Sequence, residues 1–323
     1  MQFLTARLCA IALTVLCMQS YAQQWPAKPV RLVVATGPGL SVDIMARILA
    51  DGVSRTLGQS VVVDNIAGAA GMIGAQTVAR TEPNGYVFFF ASSSALTSNL
   101  YMFKSVPYDP VKDFTAVAII VDSAPFTISV MPELPVKTLP ELVDYAKAHP
   151  GKLSYAIDSS SGTASIAGQL LAKRTGIDMV QVPYKSTAQM LQDTITGRTQ
   201  MMISAVTPVE PYLKRGSLRS IALTSENPFP GLEEIPLVRE TIPGYRLEGW
   251  FAVVARSGTP PEAIARFNRD INLFLGNTEL IQKMRSLGLA LSRTRTPRET
   301  AEFIHIEQDR WRKLATELDL QPQ

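Results

Sequence analysis

The chain has 323 residues, of which 46% are hydrophobic and 18% charged, a balance that indicates a folded protein of about two ordinary domains and not a disordered chain. Its net charge is only +3 and its basic residues are scattered, which excludes the dense basic surface of a nucleic-acid-binding protein. Such a charge still gives a mild bias towards anionic ligands.

The N-terminal segment has the pattern of a secretory signal peptide. Arg7 supplies the positive charge, 8–18 is an apolar run too short to span a bilayer, and a small residue closes a cleavage site behind it. Residues 1–22 are therefore predicted to be removed, with a buried N-terminal helix as the alternative. Both cysteines, Cys9 and Cys17, lie in this segment, so the mature chain is expected to have no disulfide and no cysteine metal site.

Strands and helices alternate along the mature chain. An apolar, β-branched run at 28–35, bounded by proline and glycine, is typical of a buried strand. A helix is predicted over about 42–57, with Ser41 as its N-cap and Gly58 at its end. Further strands are predicted at 61–63, 86–91, 126–130, 153–157, 179–182, 201–204, 220–223 and 250–254, and further helices at 73–79, 139–148, 164–175, 187–196, 261–275, 278–287 and 297–318.

This alternation predicts an α/β fold with parallel sheets in two successive units. The first lobe is expected to be discontinuous, 23–123 plus 250–323, because the three C-terminal helices are interpreted as packing on it. The second lobe covers 124–249. The two lobes are expected to enclose a ligand cleft, since ligands of open parallel sheets bind at the carboxyl ends of the strands.

Two loops rich in small residues each lead from a predicted strand into a predicted helix. They are Gly-Pro-Gly-Leu-Ser at 37–41 and Ser-Ser-Ser-Gly-Thr at 159–163. Small residues let backbone N–H groups approach a ligand, and a helix N-terminus favours an anion. One such loop in each lobe predicts a cleft suited to a carboxylate, whereas ordinary helix capping is the alternative for either loop alone.

Three further polar residues are candidates near these loops. Asp43 falls in the first turn of the predicted helix, and its expected role is to accept hydrogen bonds from loop amides and not to do chemistry. Ser92 and Ser93 directly follow a predicted strand and either face the cleft or form a solvated turn.

Catalytic and cofactor motifs find little support. The glycines of 68–74 have the wrong spacing for a dinucleotide fingerprint, and this segment is interpreted as a loop before a helix, at the rim of the cleft. The chain has only two histidines, His149 and His305, and it lacks the motifs of serine hydrolases and zinc proteases. The sequence therefore predicts no catalytic residue, no cofactor and no metal site.

Several segments together resemble one family, the Bug-type or TctC-like receptors of tripartite tricarboxylate transporters. They are 25–34, 38–43, 57–63, 68–75, 83–86, the highly specific Pro-Tyr-Asp-Pro-Val-Lys-Asp-Phe at 107–114, and 182–185. The resemblance covers nearly all of the mature chain. It implies a two-lobed periplasmic binding protein of type II, which closes over its ligand, has no catalytic activity and delivers the ligand to membrane transporter subunits.

The resemblance also implies which residues hold the ligand. Family members bind carboxylates through loop amides, hydroxyls and ordered waters, without an arginine clamp. The matching residues here are Gly39, Leu40 and Ser41 in one lobe, and Ser161, Gly162 and Thr163 in the other. Pro38, in the first of these loops, is a further candidate for ligand binding.

The chain departs from the family pattern after the strand at 201–204, where many relatives carry an Asp-Asn pair. It has Ala205, Val206 and Thr207 there. Because an unpaired ammonium group is very costly to bury, this uncharged wall favours a dicarboxylate or an aromatic carboxylate such as terephthalate over an amino acid. The alternative rests on Asp158, whose carboxylate would pair with an ammonium if it faced the cleft.

The predicted function is therefore a monomeric periplasmic receptor for a small organic carboxylate, with a membrane transporter as its partner. Two alternatives remain from the sequence. One is a secreted hydrolase or isomerase on the same fold, and the other is a ligand-dependent sensor partner.

Overall fold

The computed structural model describes residues 25–39, 41–157, 162–184, 186–285 and 289–322, without the side chains of Ser41 and Lys283. The predicted signal peptide and three of the predicted site residues, Leu40, Asp158 and Ser161, lie outside these ranges. In the described ranges, no helix combines the length and the apolar character needed to cross a membrane.

The described residues form ten strands and twelve α-helices, which alternate much as the sequence predicts. The strands are β1 Val30–Val34, β2 Val61–Asn65, β3 Val87–Ser92, β4 Phe114–Val130, β5 Leu153–Ile157, β6 Met179–Pro183, β7 Met201–Ala205, β8 Arg219–Leu223, β9 Glu248–Arg256 and β10 Ala290–Leu291. The helices are α1 Ser41–Leu57, α2 Met72–Ala79, α3 Ser93–Leu96, α4 Asn99–Met102, α5 Leu139–Ala148, α6 Thr163–Thr175, α7 Thr187–Ile195, α8 Val206–Lys214, α9 Val238–Thr241, α10 Pro261–Leu275, α11 Thr278–Arg285 and α12 Pro297–Leu318.

The strands form a mixed sheet in the order β2-β1-β3-β9-β4-β7-β5-β6. At one end β1 is parallel to β2 and β3, and at the other β5 is parallel to β6 and β7. The middle of the sheet differs from the parallel pairing that the alternation predicts, because β9 runs antiparallel to β3 and β4, and β4 antiparallel to β7 and β8. Strand direction depends on pairing between segments far apart in the chain, which local patterns do not report.

Strand β4 joins the two parallel groups. Its first part, Phe114–Pro125, pairs with β9, and its second part, Phe126–Val130, pairs with β7 and β8. The predicted lobe boundaries at 123/124 and 249/250 fall inside β4 and β9, so the chain passes between the two groups along continuous strands.

The last helix contacts both groups, although the sequence suggested packing on the first lobe alone. Ile304 packs in the apolar cluster formed by β3 and β9, whereas Trp311 and Leu314 pack in the cluster formed by β5 and α6. At the C-terminal end of α12, Glu317 pairs with Arg174 of α6 at 2.8 Å. Helix α12 therefore connects the two halves of the molecule.

Candidate functional site

A cleft of about 440 Å³ lies at the carboxyl ends of β1 and β3 and at the N-terminus of α6. Its described lining residues are Ala35, Thr36, Val42, Gly68, Ala69, Ala70, Gly71, Phe90, Ser92, Ser94, Ser98, Asn99, Gly162 and Thr163. The first twelve come from the β1–β3 group and the last two from the second group, so the cleft lies between the two halves.

The sheet topology explains why these segments meet. Val34, the last residue of β1, pairs with Asn65 of β2 and with Phe90 of β3. Parallel neighbours end at the same edge of a sheet, so the segments that follow the three strands lie side by side. Facing them are Gly162 and Thr163 at the start of α6.

A second cavity of similar size, about 480 Å³, lies beside the middle of β4 and the start of β9. Four of its charged side chains form ion pairs with one another, Arg246 with Glu248 at 2.7 Å and Arg295 with Asp122. None of its described lining residues comes from the segments that follow β1, β2, β3 or β5. The cleft at β1, β3 and α6 is therefore the better candidate for a ligand site.

Asp43 organises the loop after β1. Its Oδ2 accepts hydrogen bonds from the Gly39 amide at 2.8 Å and from Arg47 Nε at 3.0 Å, and its Oδ1 accepts one from Asn65 Nδ2 at 2.9 Å. Asn65 Nδ2 also donates to the Thr36 carbonyl at 3.0 Å. Asp43 is 2% exposed, so its role is the one expected from the sequence, holding loop amides in place.

These contacts keep the Asp43 carboxylate ionised. The hydrogen bond from Arg47 lowers the pKa of Asp43 most, and those from Gly39 and Asn65 add to it, so that the pKa falls from 3.8 to about 2 although burial opposes the change. A depressed carboxyl pKa contributes stability that is present above the unfolded pKa and is lost as the pH falls through the folded one.

Asp43→Asn is therefore expected to lower the free energy of unfolding by about 2 kcal/mol at neutral pH. The difference between the two proteins should shrink as the pH falls from 3.8 towards 2. Urea unfolding of both proteins across this pH range measures the difference in their free energies of unfolding. Asp51→Asn on the same helix is the matched control. Asp51 is 71% exposed, so its loss should change the free energy of unfolding little. An equal loss of stability in Asp43→Asn at every pH would contradict the role of Asp43 as an ionised carboxylate that holds the loop.

The turn before α2 forms another wall of the cleft. Gly68, Ala69, Ala70 and Gly71 all have positive φ angles, of 131°, 45°, 53° and 84°. Left-handed conformation costs roughly 1–2 kcal/mol for a residue with a Cβ, so this turn needs support from its surroundings. Asn99 provides part of it, since its Nδ2 donates to the Ala70 carbonyl at 3.2 Å.

The structure brings only some of the predicted site residues to this cleft. Ser92, Gly162 and Thr163 line it, and Pro38 and Gly39 are exposed in the loop beside it. Ser93 is not among the described lining residues. Its neighbour Ser94 takes that place, and its hydroxyl is hydrogen-bonded to that of Ser92 at 2.9 Å.

Ala205, Val206 and Thr207, predicted as an uncharged wall of the cleft, are not among its described lining residues. Helix α8 begins at Val206, which is 1% exposed and packs in an apolar cluster with Leu223 and Phe229. The sequence analysis missed this helix because Pro211, a residue that usually breaks helices, lies inside it.

Other lining residues were missed by the sequence analysis. Thr36, Ser98 and Asn99 all line the cleft, and the last two lie in a segment for which no element was predicted. Helices α3 and α4 have only four residues each, too short to show a helical pattern. The glycines at 68–71, by contrast, were expected at the rim of the cleft, and they line it.

The described lining of the cleft offers hydrogen-bonding groups and apolar surface. Among its described lining residues none carries a charged side chain, while hydroxyl, amide and backbone groups are abundant. The described residues contain no cluster of histidine, cysteine and carboxylate side chains that could hold a metal ion. Phe90, Val42 and Ala35 add apolar surface.

Comparison with known proteins agrees with this geometry. A family model described as the tripartite tricarboxylate transporter family receptor matches residues 45–320. The structure is similar to that of R. palustris Rpa4515 with adipate, with 33% sequence identity, a TM-score of 0.80, and coverage of 93% of this chain and 100% of the other.

Two further solved structures are similar. Periplasmic binding protein BugD has 26% identity and a TM-score of 0.76, with 93% of this chain and 100% of BugD covered. MatC from Rhodopseudomonas palustris with bound malate has 26% identity and a TM-score of 0.75, with 90% of this chain and 99% of MatC covered. Each similarity extends over both halves of the molecule.

Proposed function

Because the chain belongs to the tripartite tricarboxylate transporter family of receptors, we propose that it captures a small organic carboxylate in the periplasm and delivers it to the membrane subunits of a transporter. Proteins of this family are solute-binding receptors and not enzymes, which removes the hydrolase or isomerase alternative.

The observation that carries the proposal is the donor-rich cleft between the two halves, whose described lining residues carry no charged side chain. Gly162 is the N-cap of α6 and makes no side-chain capping bond, and it lines the cleft together with Thr163, so the start of this helix lies at the cleft wall. A helix N-terminus stabilises an anion through these N–H groups and through its dipole. Hydroxyls of Ser92, Ser94 and Thr163 add donors that can orient a carboxylate.

The proposed ligand class is a dicarboxylate or an aromatic carboxylate such as terephthalate. The described lining residues offer no carboxylate to pair with the ammonium group of an amino acid. Phe90, Val42 and Ala35 offer apolar contacts to a methylene chain or a ring. Two similar structures contain the dicarboxylates adipate and malate, which is consistent with this class.

A panel of ligands tests this proposal. Calorimetric titration with succinate, adipate, citrate, benzoate, terephthalate, aspartate and glutamate should give binding to at least one plain acid and to neither amino acid. A bound ligand should also raise the melting temperature, because it binds only the folded state. Binding of aspartate or glutamate alone would contradict the ligand class, and recovery of a chemically altered ligand would contradict the receptor function.

A further inference from the structure

A buried hydrogen bond ties the first turn of α6 to the sheet. Ser165, the third residue of this helix, is 0% exposed, and its hydroxyl donates to Gln181 Oε1 at 2.9 Å. Gln181 lies on β6, the strand at one end of the sheet. The bond therefore joins two separate elements, and it forms only where α6 has one particular position on the sheet.

The acceptor of this bond is itself held in place. Tyr155 lies opposite Gln181 in the register of β5 and β6, and its hydroxyl donates to the same Oε1 atom at 2.7 Å. Tyr155 is 3% exposed, so the core confines its ring. Because an amide oxygen has two lone pairs, the two hydroxyls use its full accepting capacity and leave the Gln181 side chain one arrangement that satisfies both.

Directional bonds of this kind define the position of α6 more narrowly than its apolar contacts do. Ile166 and Leu170 pack in the core, but apolar burial is non-directional and tolerates small shifts of a helix. The Tyr245 hydroxyl donates to the Ala167 carbonyl at 2.8 Å and holds the following turn. With that turn held, the bond from Ser165 decides where the first turn lies.

The first turn is the part of α6 that meets the cleft. Gly162 and Thr163 line the cleft, whereas neither Ser165 nor Gln181 is among its described lining residues. An amide N–H binds an oxygen well only at about 2.7–3.2 Å. Binding groups must accordingly be held within about 0.5 Å of the geometry that their ligand needs. A small displacement of the first turn is therefore enough to weaken a carboxylate bound there.

We propose that Ser165 and Gln181 are positioning residues of the ligand site, whose hydrogen bond fixes the first turn of α6 at the cleft wall. The inference rests on the proposed function, and it extends the site to two residues that do not contact the ligand. Without this bond, α6 keeps its apolar contacts and the fold persists. Its first turn is then free to move away from the position in which its amides reach the ligand carboxylate.

Two single variants and their combination test this role. Ser165→Ala should weaken binding of the tightest carboxylate of the panel by about tenfold, the lower end of the loss that follows removal of partners behind a metal-binding residue. Gln181→Met removes the acceptor with a side chain of similar length and should cause a similar loss. The double variant should bind no more weakly than the weaker single variant, because both substitutions break the same bond. Calorimetric titration measures these affinities.

Gln169→Met is the matched control. Gln169 Nε2 donates to the Ser165 hydroxyl at 2.9 Å, so this bond lies within α6 and does not attach the helix to the sheet. The control variant loses a hydrogen bond of the same cluster, yet it should bind the acid as tightly as the wild type. Thermal unfolding shows that each variant is folded at the temperature of the titration. Because either Ser165→Ala or Gln181→Met tests the bond, failure of one to fold leaves the other to decide.

Several outcomes would overturn the positioning role while leaving the receptor function intact. They are wild-type affinity in a folded Ser165→Ala or Gln181→Met protein, an equal loss of affinity in Gln169→Met, and additive losses in the double variant. Failure of the wild-type protein to bind any acid of the panel, together with binding of a different class of solute, would instead overturn the proposed function itself.

Discussion

Gly162→Asp is expected to abolish carboxylate binding while leaving the fold at least as stable as in the wild type. Gly162 has φ −91° and ψ 170°, an extended conformation that aspartate adopts without strain. Aspartate is a favoured N-cap residue, so it should stabilise α6 by a few tenths of a kcal/mol or more relative to glycine. The same carboxylate would occupy the amides that the ligand needs and would repel the ligand's negative charge.

Two juxtaposed like charges cost several kcal/mol, so we expect the affinity to fall by more than about 100-fold. Calorimetric titration with the carboxylate that binds most tightly in the panel measures this loss, and thermal unfolding measures stability. Gly162→Asn is the matched control, because asparagine also caps helices but has no charge, and its loss of affinity should be clearly smaller. Affinity retained by Gly162→Asp would place the ligand carboxylate elsewhere.

Gly168→Ala is expected to destabilise the protein, although alanine is the better helix former. Gly168 lies inside α6, and a Cβ there would be 2.2 Å from Cε2 of Tyr155 and 2.7 Å from its hydroxyl oxygen. Tyr155 is 3% exposed, and its hydroxyl donates to Gln181 Oε1 at 2.7 Å, so the ring cannot retreat without breaking this bond. Overpacking of this kind costs typically 1–3 kcal/mol, which outweighs the gain of about 1 kcal/mol in helix propensity.

Urea unfolding should therefore show a lower free energy of unfolding for Gly168→Ala, by up to about 2 kcal/mol. Gly276→Ala is the matched control, because its Cβ would have no neighbour closer than 3.6 Å and its φ of −75° suits alanine. Adding Tyr155→Leu should reduce the penalty of Gly168→Ala, since contacting residues are energetically coupled. If Gly168→Ala causes the same loss of stability with Tyr155→Leu present, then contact with the Tyr155 ring is not the cause of that loss.

The sequence predicted most accurately those elements that form through interactions between residues close together in the chain. Helices α5, α10 and α12 and strand β5 have the predicted bounds, because local signals mark them. At the start of α12, for example, Thr296 and Glu299 form a capping box, with each side chain bonded to the other residue's backbone. These signals lie within a few residues and need no knowledge of the rest of the fold.

The first part of β4 was missed, although the apolar run at 116–121 is a local strand signal. Its sequence contains the polar Asp122 and Ser123 and then Pro125, which look like the end of a strand. In the structure the strand continues, with β-bulges where it pairs with β9. The polar Ser123 side chain is accommodated because its hydroxyl donates to Glu248, a residue 125 positions away in the sequence.

The sequence by itself determined the family, the alternation of strands and helices, and the small-residue loops that place helix N-termini beside a ligand. These features depend on periodicity, capping and turn chemistry, which act over a few residues. Only the tertiary structure decided that the centre of the sheet is antiparallel, that Val206 is buried in a core, and that Ser98 and Asn99 line the cleft. Strand pairing and the side on which a residue is buried depend on contacts between distant segments, which exist only once the chain has folded.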